Sequence, residues 1–332
     1  MTGWGRGPSA GFEDRVPLKA QEHFGEGVDC VDNRRAMISL VGEQPIANLL
    51  PVLCLQPHHA VLVCTSWTRP VADKLRSILA ERTTEHGVRV QCTIEEVGPY
   101  DIVDIEAKIS ALIGNRSWTP DEILFNLTGG TKTMAIAAYR LAESHGTPFC
   151  YLISEGKGNK IHTYRVSSDQ GLEFLGEAMV GATLDIDLYL RAHLGGYEEG
   201  MPKDGFELTV YSTLQPEFDE VKASVRPHSY GNVEIDLVLR RGNSVGIVEV
   251  KSGNKAREKR GVEQIIAAGE QRFLGVYTKK ILVLDREYGS DNLKLAQAHG
   301  ITVIELPSAQ TGALSPEDEQ LLLASMRKQL GA

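Results

Sequence analysis

The 332-residue sequence contains no CxxC pair, no HxxxH or HExxH pattern and no GxxxxGK[ST] loop. Those absences remove zinc ribbons, zincin-type proteases and P-loop NTPases from consideration. Five cysteines, Cys30, Cys54, Cys64, Cys92 and Cys150, are present, and four lie in or beside apolar segments. There they act as small hydrophobes, which points to a reducing compartment with neither disulfide nor zinc. No apolar run reaches the roughly 18 residues that span a bilayer, and the N-terminus lacks the basic-then-apolar order of a signal peptide. A cytoplasmic protein with no membrane association is expected. With 35 basic against 44 acidic residues, the net charge of -9 argues against a chain that coats nucleic acid by bulk electrostatics. It leaves room for a local basic groove.

What is present is α/β patterning in two sets. Residues 1–30 carry six glycines and no hydrophobic period, as a poorly ordered lead-in would. Short apolar runs at 37–41, 60–64, 88–94, 123–127 and 149–154 then alternate with helical spacing near 45–55, 70–86, 102–113 and 131–145. That rhythm predicts a doubly wound, mainly parallel sheet. Polar hairpin sequence follows residue 155, and an amphipathic segment spans 184–193. GGYEEGMPKDG, 195–205, reads as a linker. A second set comprises helices near 205–215, 257–274 and 291–299, with strands at 219–225, 233–240, 244–251, 280–285 and 301–306. The expected domains are 31–180, a connecting segment at 181–204, and 205–332.

FNLTGGTKTMA, 125–135, places Thr128, Gly129, Gly130, Thr131 and Lys132 where a strand turns into a helix. Ligands of parallel sheets sit beyond the strands' carboxyl ends, where helix N-termini point NH groups outward. Glycine lets a phosphate or ribose approach the backbone, the threonines can cap or donate, and Lys132 adds positive charge. An ordinary tight turn is the alternative. The first strand also ends in glycine and polar groups, Gly42, Glu43 and Gln44, and the second ends in Thr65-Ser66-Trp67-Thr68. Three such ends on one rim suit a nucleotide.

VGEQP and NLTGGTKTM resemble the two signature loops of CRISPR-associated Rossmann-fold (CARF) domains, over roughly residues 36–165. The resemblance implies a homodimer holding a cyclic oligoadenylate across its two-fold axis. It makes Gly42, Glu43, Gln44, Thr65, Thr128, Gly129, Gly130, Thr131 and Lys132 the expected ligand contacts.

NVEIDLVLRRGNSVGIVEVKSG, 232–253, is two alternating runs around Gly242-Asn243, a two-residue hairpin signal of type I′ or II′. Arg241 then faces Ser244, and counting outward Asp236 faces Glu249 and Glu234 faces Lys251. Asp236 and Glu249 form a non-hydrogen-bonded pair with Cα atoms about 4.5 Å apart and side chains on one face. Like charges so placed destabilise a sheet, whereas a divalent cation such as magnesium or manganese calls for them. Lys251 projects to the same face and can orient water or stabilise charge on a phosphate. A solvated charged hairpin is the alternative.

This D...ExK hairpin resembles the PD-(D/E)xK nuclease core, with Ile235 where the motif's name has proline. The resemblance implies that Asp236, Glu249 and the Val250 carbonyl hold the metal, that Glu207 on the preceding helix completes its shell through water, and that Lys251 positions the nucleophile. Gln264 is a further supporting candidate. The fold class is therefore a Rossmann-like doubly wound CARF domain followed by a PD-(D/E)xK restriction-endonuclease-like α/β domain.

After Lys251 the chain runs through Lys255, Arg257, Lys259 and Arg260 against Glu258 alone, a basic stretch able to track a phosphate backbone. His58 and His59 read as surface or satisfied core residues, and Trp67 and Trp118 as packing residues with base stacking as the alternative. The whole resembles CARF nucleases of type III CRISPR defence. That resemblance implies an endonuclease activated by cyclic tetra-adenylate, with manganese or magnesium as cofactor and DNA, RNA or both as substrate. A non-catalytic nucleotide-sensing regulator that binds nucleic acid is the rival, and hydrolysis of the ring by the first domain is a third reading.

Overall fold

The computed structural model describes residues 35–84, 87–155, 158–167, 171–228, 233–269, 274–275 and 277–331. The glycine-rich lead-in and Cys30 lie outside them. Strands β1 (Ala36–Leu40), β2 (His59–Cys64), β3 (Gln91–Glu96), β4 (Ile123–Asn126), β5 (Phe149–Glu155), β6 (Gly158–Ser167) and β7 (Gly171–Val180) form one sheet in the order β3-β2-β1-β4-β5-β6-β7. The first five are parallel, and β6 and β7 extend the sheet as an antiparallel hairpin.

Parallel strands read as continuous apolar runs because helices cover both faces, and every residue of β1 and β2 is buried. On one face Met37, Leu62 and Cys64 pack with α1 (Ile46–Leu55), α2 (Arg69–Ala80) and α5 (Ile186–Leu194). On the other, Ile38, Leu40, Val61 and Val63 pack with α3 (Ile102–Arg116) and α4 (Lys132–His145). Helix α2 stops at Ala80, short of the expected 86, because the chain turns back through a Thr83–Arg89 bridge.

The second sheet runs β13-β12-β11-β10-β9-β8. Its strands are β8 (Tyr197–Gly200), β9 (Glu220–Pro227), β10 (Ile235–Arg241), β11 (Ser244–Lys251), β12 (Lys279–Leu284) and β13 (Ile301–Glu305). Helices α6 (Gly205–Leu214) and α9 (Pro316–Leu330) pack Val210, Leu214, Leu322 and Met326 on one face with Leu237 and Val248. Helix α7 (Arg260–Ala268) packs Val262 and Ile265 on the opposite face, and α8 (Ser290–Ala298) joins β12 to β13. Helix α9 lies beyond the elements that the sequence pattern marks.

The stretch expected as a linker is structural. Residues 197–200 form β8 on the sheet's edge, where Glu199 pairs with Lys222 at 2.7 Å. A short charged strand suits an edge, since it leaves little unpaired backbone for another chain to join. The two halves also share a core: Leu188 and Leu190 of α5 belong to the same buried cluster as Met37 and Leu62 of the first sheet and Val238 and Ile247 of the second.

Candidate functional site

At the carboxyl ends of β1, β2 and β4, loops enclose a cavity of about 520 Å³. Gly42, Glu43, Gln44, Thr65, Thr128, Gly129, Gly130 and Thr131 all line it. Lys132 does not; it is exposed as the first residue of α4.

The glycines have a different first duty from the one expected. A Cβ on Gly129 would stand 2.2 Å from the Leu40 carbonyl oxygen, and Gly130 adopts φ 76° with its own Cβ position 2.8 Å from the Leu40 side chain. They let two loops pack backbone to backbone at one rim of the cavity. The threonines are also engaged. Thr128 Oγ1 donates to Asn126 Oδ1 (2.6 Å) and accepts from the Leu152 NH (2.8 Å). Thr131 caps α4 by accepting from the Met134 NH and donates to the Pro99 carbonyl. Thr65 and Thr68 bond one another across their own turn.

Two aromatic residues read as packing groups separate here. Trp118 is 8% exposed and packs against His59. Trp67 is 78% exposed, lines the cavity and donates to Glu43 from its indole NH at 2.9 Å. Exposed Tyr100 and, from the second half of the chain, Tyr277 line it as well. Neither carries a local sequence signal, since each reaches the rim from a loop distant in sequence.

The hairpin register is as counted: Arg241 pairs with Ser244, and the ladder runs to Leu237 opposite Val248. Positive φ falls at Gly242 (58°) and not at Asn243, which selects the type II′ turn. Beyond the last pair the Asp236 carboxylate continues the ladder's role, accepting from the Val250 NH at 2.9 Å. Lys251 Nζ contacts Asp236 Oδ2 (3.2 Å), the Val250 carbonyl (3.2 Å) and Glu249 Oε1.

Glu234 does not face Lys251. It precedes β10 and binds Lys203, Ser224 and Arg226, because Ile235 begins a pairing with Val225 that turns position 234 toward β9.

Glu207 is buried at the start of α6, where Asp204 caps the helix and the Lys203 NH donates to Glu207 Oε2 at 2.7 Å. Burial, then the Asp236 and Asp204 charges, pushes its carboxyl above the usual range. Glu249 is pushed up to about 8 by burial and by the Asp236 carboxylate. Burial opposes the Lys251 charge, but Glu249 and Asp236 outweigh it and hold the ammonium above its ordinary value.

Among the described residues no three His, Cys, Asp or Glu side chains stand close enough to cage a metal. The donors of the expected site are nonetheless all oxygens, the type a hard divalent cation takes, and three of them already hold a cation, the Lys251 ammonium. Glu249 Oε1 is buried and, apart from that ion pair, accepts no hydrogen bond. The donor set therefore has the chemistry a divalent ion takes, with the Lys251 ammonium seated among its oxygens.

Lys255, Lys259 and Arg260 follow as exposed residues without an ion pair among those described. Their turn is pinned by Asp285, which accepts from the Gly253 NH at 2.8 Å. Gln264 lies on α7, half-buried.

Residues 36–173 match the family model described as the Card1 CARF domain. This part of the chain has the CARF fold. Solved structures extend the likeness past it. Can2 from Sulfobacillus thermosulfidooxidans, solved with cyclic tetra-adenylate, is 16% identical with a TM-score of 0.65, covering 90% of this chain and 98% of that one. Protein VC1899 from Vibrio cholerae is 11% identical with a TM-score of 0.66, covering 90% and 99%. A type III CRISPR defence DNA nuclease activated by cyclic oligoadenylate is 16% identical with a TM-score of 0.53, covering 80% of this chain and 47% of that one. A search of curated proteins finds no significant match. The CARF domain thus continues into a second α/β domain in a fold shared along nearly the whole of two relatives. No helix among the described residues is long and apolar enough to cross a membrane.

Proposed function

We propose that this chain is a metal-dependent endonuclease of CRISPR antiviral defence, activated by a cyclic oligoadenylate, cyclic tetra-adenylate foremost. It acts on DNA, RNA or both as a cytoplasmic homodimer. Residues 31–180 form the sensor, 181–204 the connecting segment, which supplies β8, and 205–332 the nuclease. The observation that carries the reading is the joining of two sites in one chain: a CARF cavity at helix N-termini, and buried Asp236 and Glu249 with half-buried Lys251 on one hairpin, with Glu207 behind them.

Asp236, Glu249 and the Val250 carbonyl would hold manganese or magnesium, with Glu207 reached through water. The ion supplies Lewis-acid stabilisation of a phosphodiester oxygen. Lys251, displaced from the carboxylates, orients the attacking water and neutralises charge that develops on the phosphate. Lys255, Lys259 and Arg260 bind the backbone on either side of the scissile bond. In the CARF cavity the backbone of the Gly129-Gly130-Thr131 loop that leads into α4 receives phosphate oxygens, and Trp67 and Tyr100 offer faces to the bases.

The rival, a non-catalytic regulator, draws support from one feature: Lys251 sits where the metal would go. Incubation of the purified protein with manganese or magnesium, plasmid and single-stranded RNA, with and without cyclic tri-, tetra- and hexa-adenylate, separates the two. Cleavage with one ring and its loss in Lys251→Ala is the expected result; absence of cleavage from folded protein under every condition favours the regulator.

A further inference from the structure

The second domain reaches into the CARF cavity. Tyr277, just before β12, lines the same space as Gly42, Gln44 and Gly130. It also lines an adjoining cavity of about 660 Å³ between the domains, walled by Leu50 of α1, Asn243 of the hairpin turn and Leu330 of α9. Its side chain is half-exposed and makes no hydrogen bond among the described residues. A half-exposed aromatic ring that lines both cavities can present a face to the ligand space.

The segment around Tyr277 is tied to both domains. The Tyr189 hydroxyl of α5 is bonded to the Leu274 carbonyl (2.8 Å) and to Thr278 Oγ1 (2.6 Å). Gly275 adopts φ 77° and lies so close to Gln44 that a Cβ there would stand 2.1 Å from Gln44 Oε1. Lys279 then opens β12, whose Leu282 and Leu284 pair with Glu249 and Lys251 on β11.

We infer that Tyr277 is a ligand-contacting residue of the CARF cavity contributed by the nuclease-like domain, stacking on an adenine of a cyclic oligoadenylate. Through the Gln44–Gly275 contact and β12, occupancy of the cavity bears on the strand that carries Glu249 and Lys251. The inference rests on the sensor reading given above. Aromatic faces accept any base, and a ligand shifts a conformational equilibrium only by contacts that differ between its states. A contact made by the second domain is of that kind, because it exists only while the Tyr277 segment is seated on the cavity.

The test uses the full chain and cyclic tetra-adenylate as probe. Calorimetric affinities are measured for the wild type, Tyr277→Ala and Tyr277→Phe, with hydrogen exchange of residues 274–285 followed with and without the ring. Tyr277→Ala is expected to weaken binding about tenfold while Tyr277→Phe retains it. Exchange in β12 is expected to slow on ring binding in the wild type and to respond less in Tyr277→Ala. Wild-type affinity together with an unchanged exchange response in Tyr277→Ala would overturn the inference. A wild-type protein that binds no ring would overturn the sensor reading and this inference with it, and the wild-type titration alone tells that result apart.

Discussion

Asn243 Oδ1 accepts from the NH groups of both Thr183 and Leu184, while its amide donates to the Gly181 carbonyl at 2.6 Å. A residue that the sequence marks only as the second of a hairpin turn therefore buckles the second domain to the chain leaving the first. Asn243→Ala keeps the turn and removes the buckle. A loss of about 1–3 kcal/mol in denaturant unfolding is expected, with faster hydrogen exchange at 181–184.

Lys251 balances two buried carboxylates, so its removal has separable consequences for chemistry and for folding. Lys251→Ala is expected to lower ring-stimulated cleavage by at least about 100-fold. Metal-free stability should also fall, and added manganese should restore part of it. Thermal melts with and without the ion test the second half of that expectation.

Glu249 titrates near 8 in the fold because of burial and the Asp236 carboxylate, against an ordinary value of 4.5. A raised carboxyl pKa means that the unfolded state loses its proton first. The stability contribution is complete below about pH 4.5 and is lost as the pH rises through 8. Metal-free wild type should accordingly melt lower at pH 8 than at pH 6. Glu249→Gln should flatten that slope and raise the melting temperature at pH 8 by roughly 2–5 °C, while abolishing cleavage.

Gly129 has no room for a side chain. Gly129→Ala drives a methyl group into the Leu40 carbonyl, and a cost of about 2–3 kcal/mol in stability is expected together with loss of ring binding. Equilibrium unfolding and calorimetry measure the two effects; unchanged stability would mean that the loop relaxes at no cost.

Trp67 offers the complementary case, an exposed residue whose loss the fold should tolerate. Trp67→Ala is expected to leave the melting temperature within about 1 °C and to weaken cyclic tetra-adenylate binding by roughly tenfold. Lys132→Ala should have a smaller effect that fades with added salt, as for a charge beside the cavity rather than in it.

Much of this architecture is legible in the sequence because it follows from backbone geometry. Period-two alternation around Gly242-Asn243 sets which residues face one another, and so Asp236, Glu249 and Lys251 meet as counted. Buried parallel strands read as apolar runs, and the helix after Thr131 starts where its capping hydroxyl says it should. Those relations are local, or one turn removed from local.

Contacts between distant segments follow no such period. Glu234 turns to Lys203 and Arg226 because of a pairing with β9, and residues 197–200 leave the expected linker for a sheet edge. Tyr277 arrives at the CARF cavity from the far domain, and the Lys251 ammonium settles on the oxygens expected to hold a metal. The sequence by itself determined most of the strands, the hairpin register from the turn to Leu237 and Val248, and the residues at each loop. The tertiary structure alone decided which loops meet, because that depends on burying one apolar core shared by both halves of the chain.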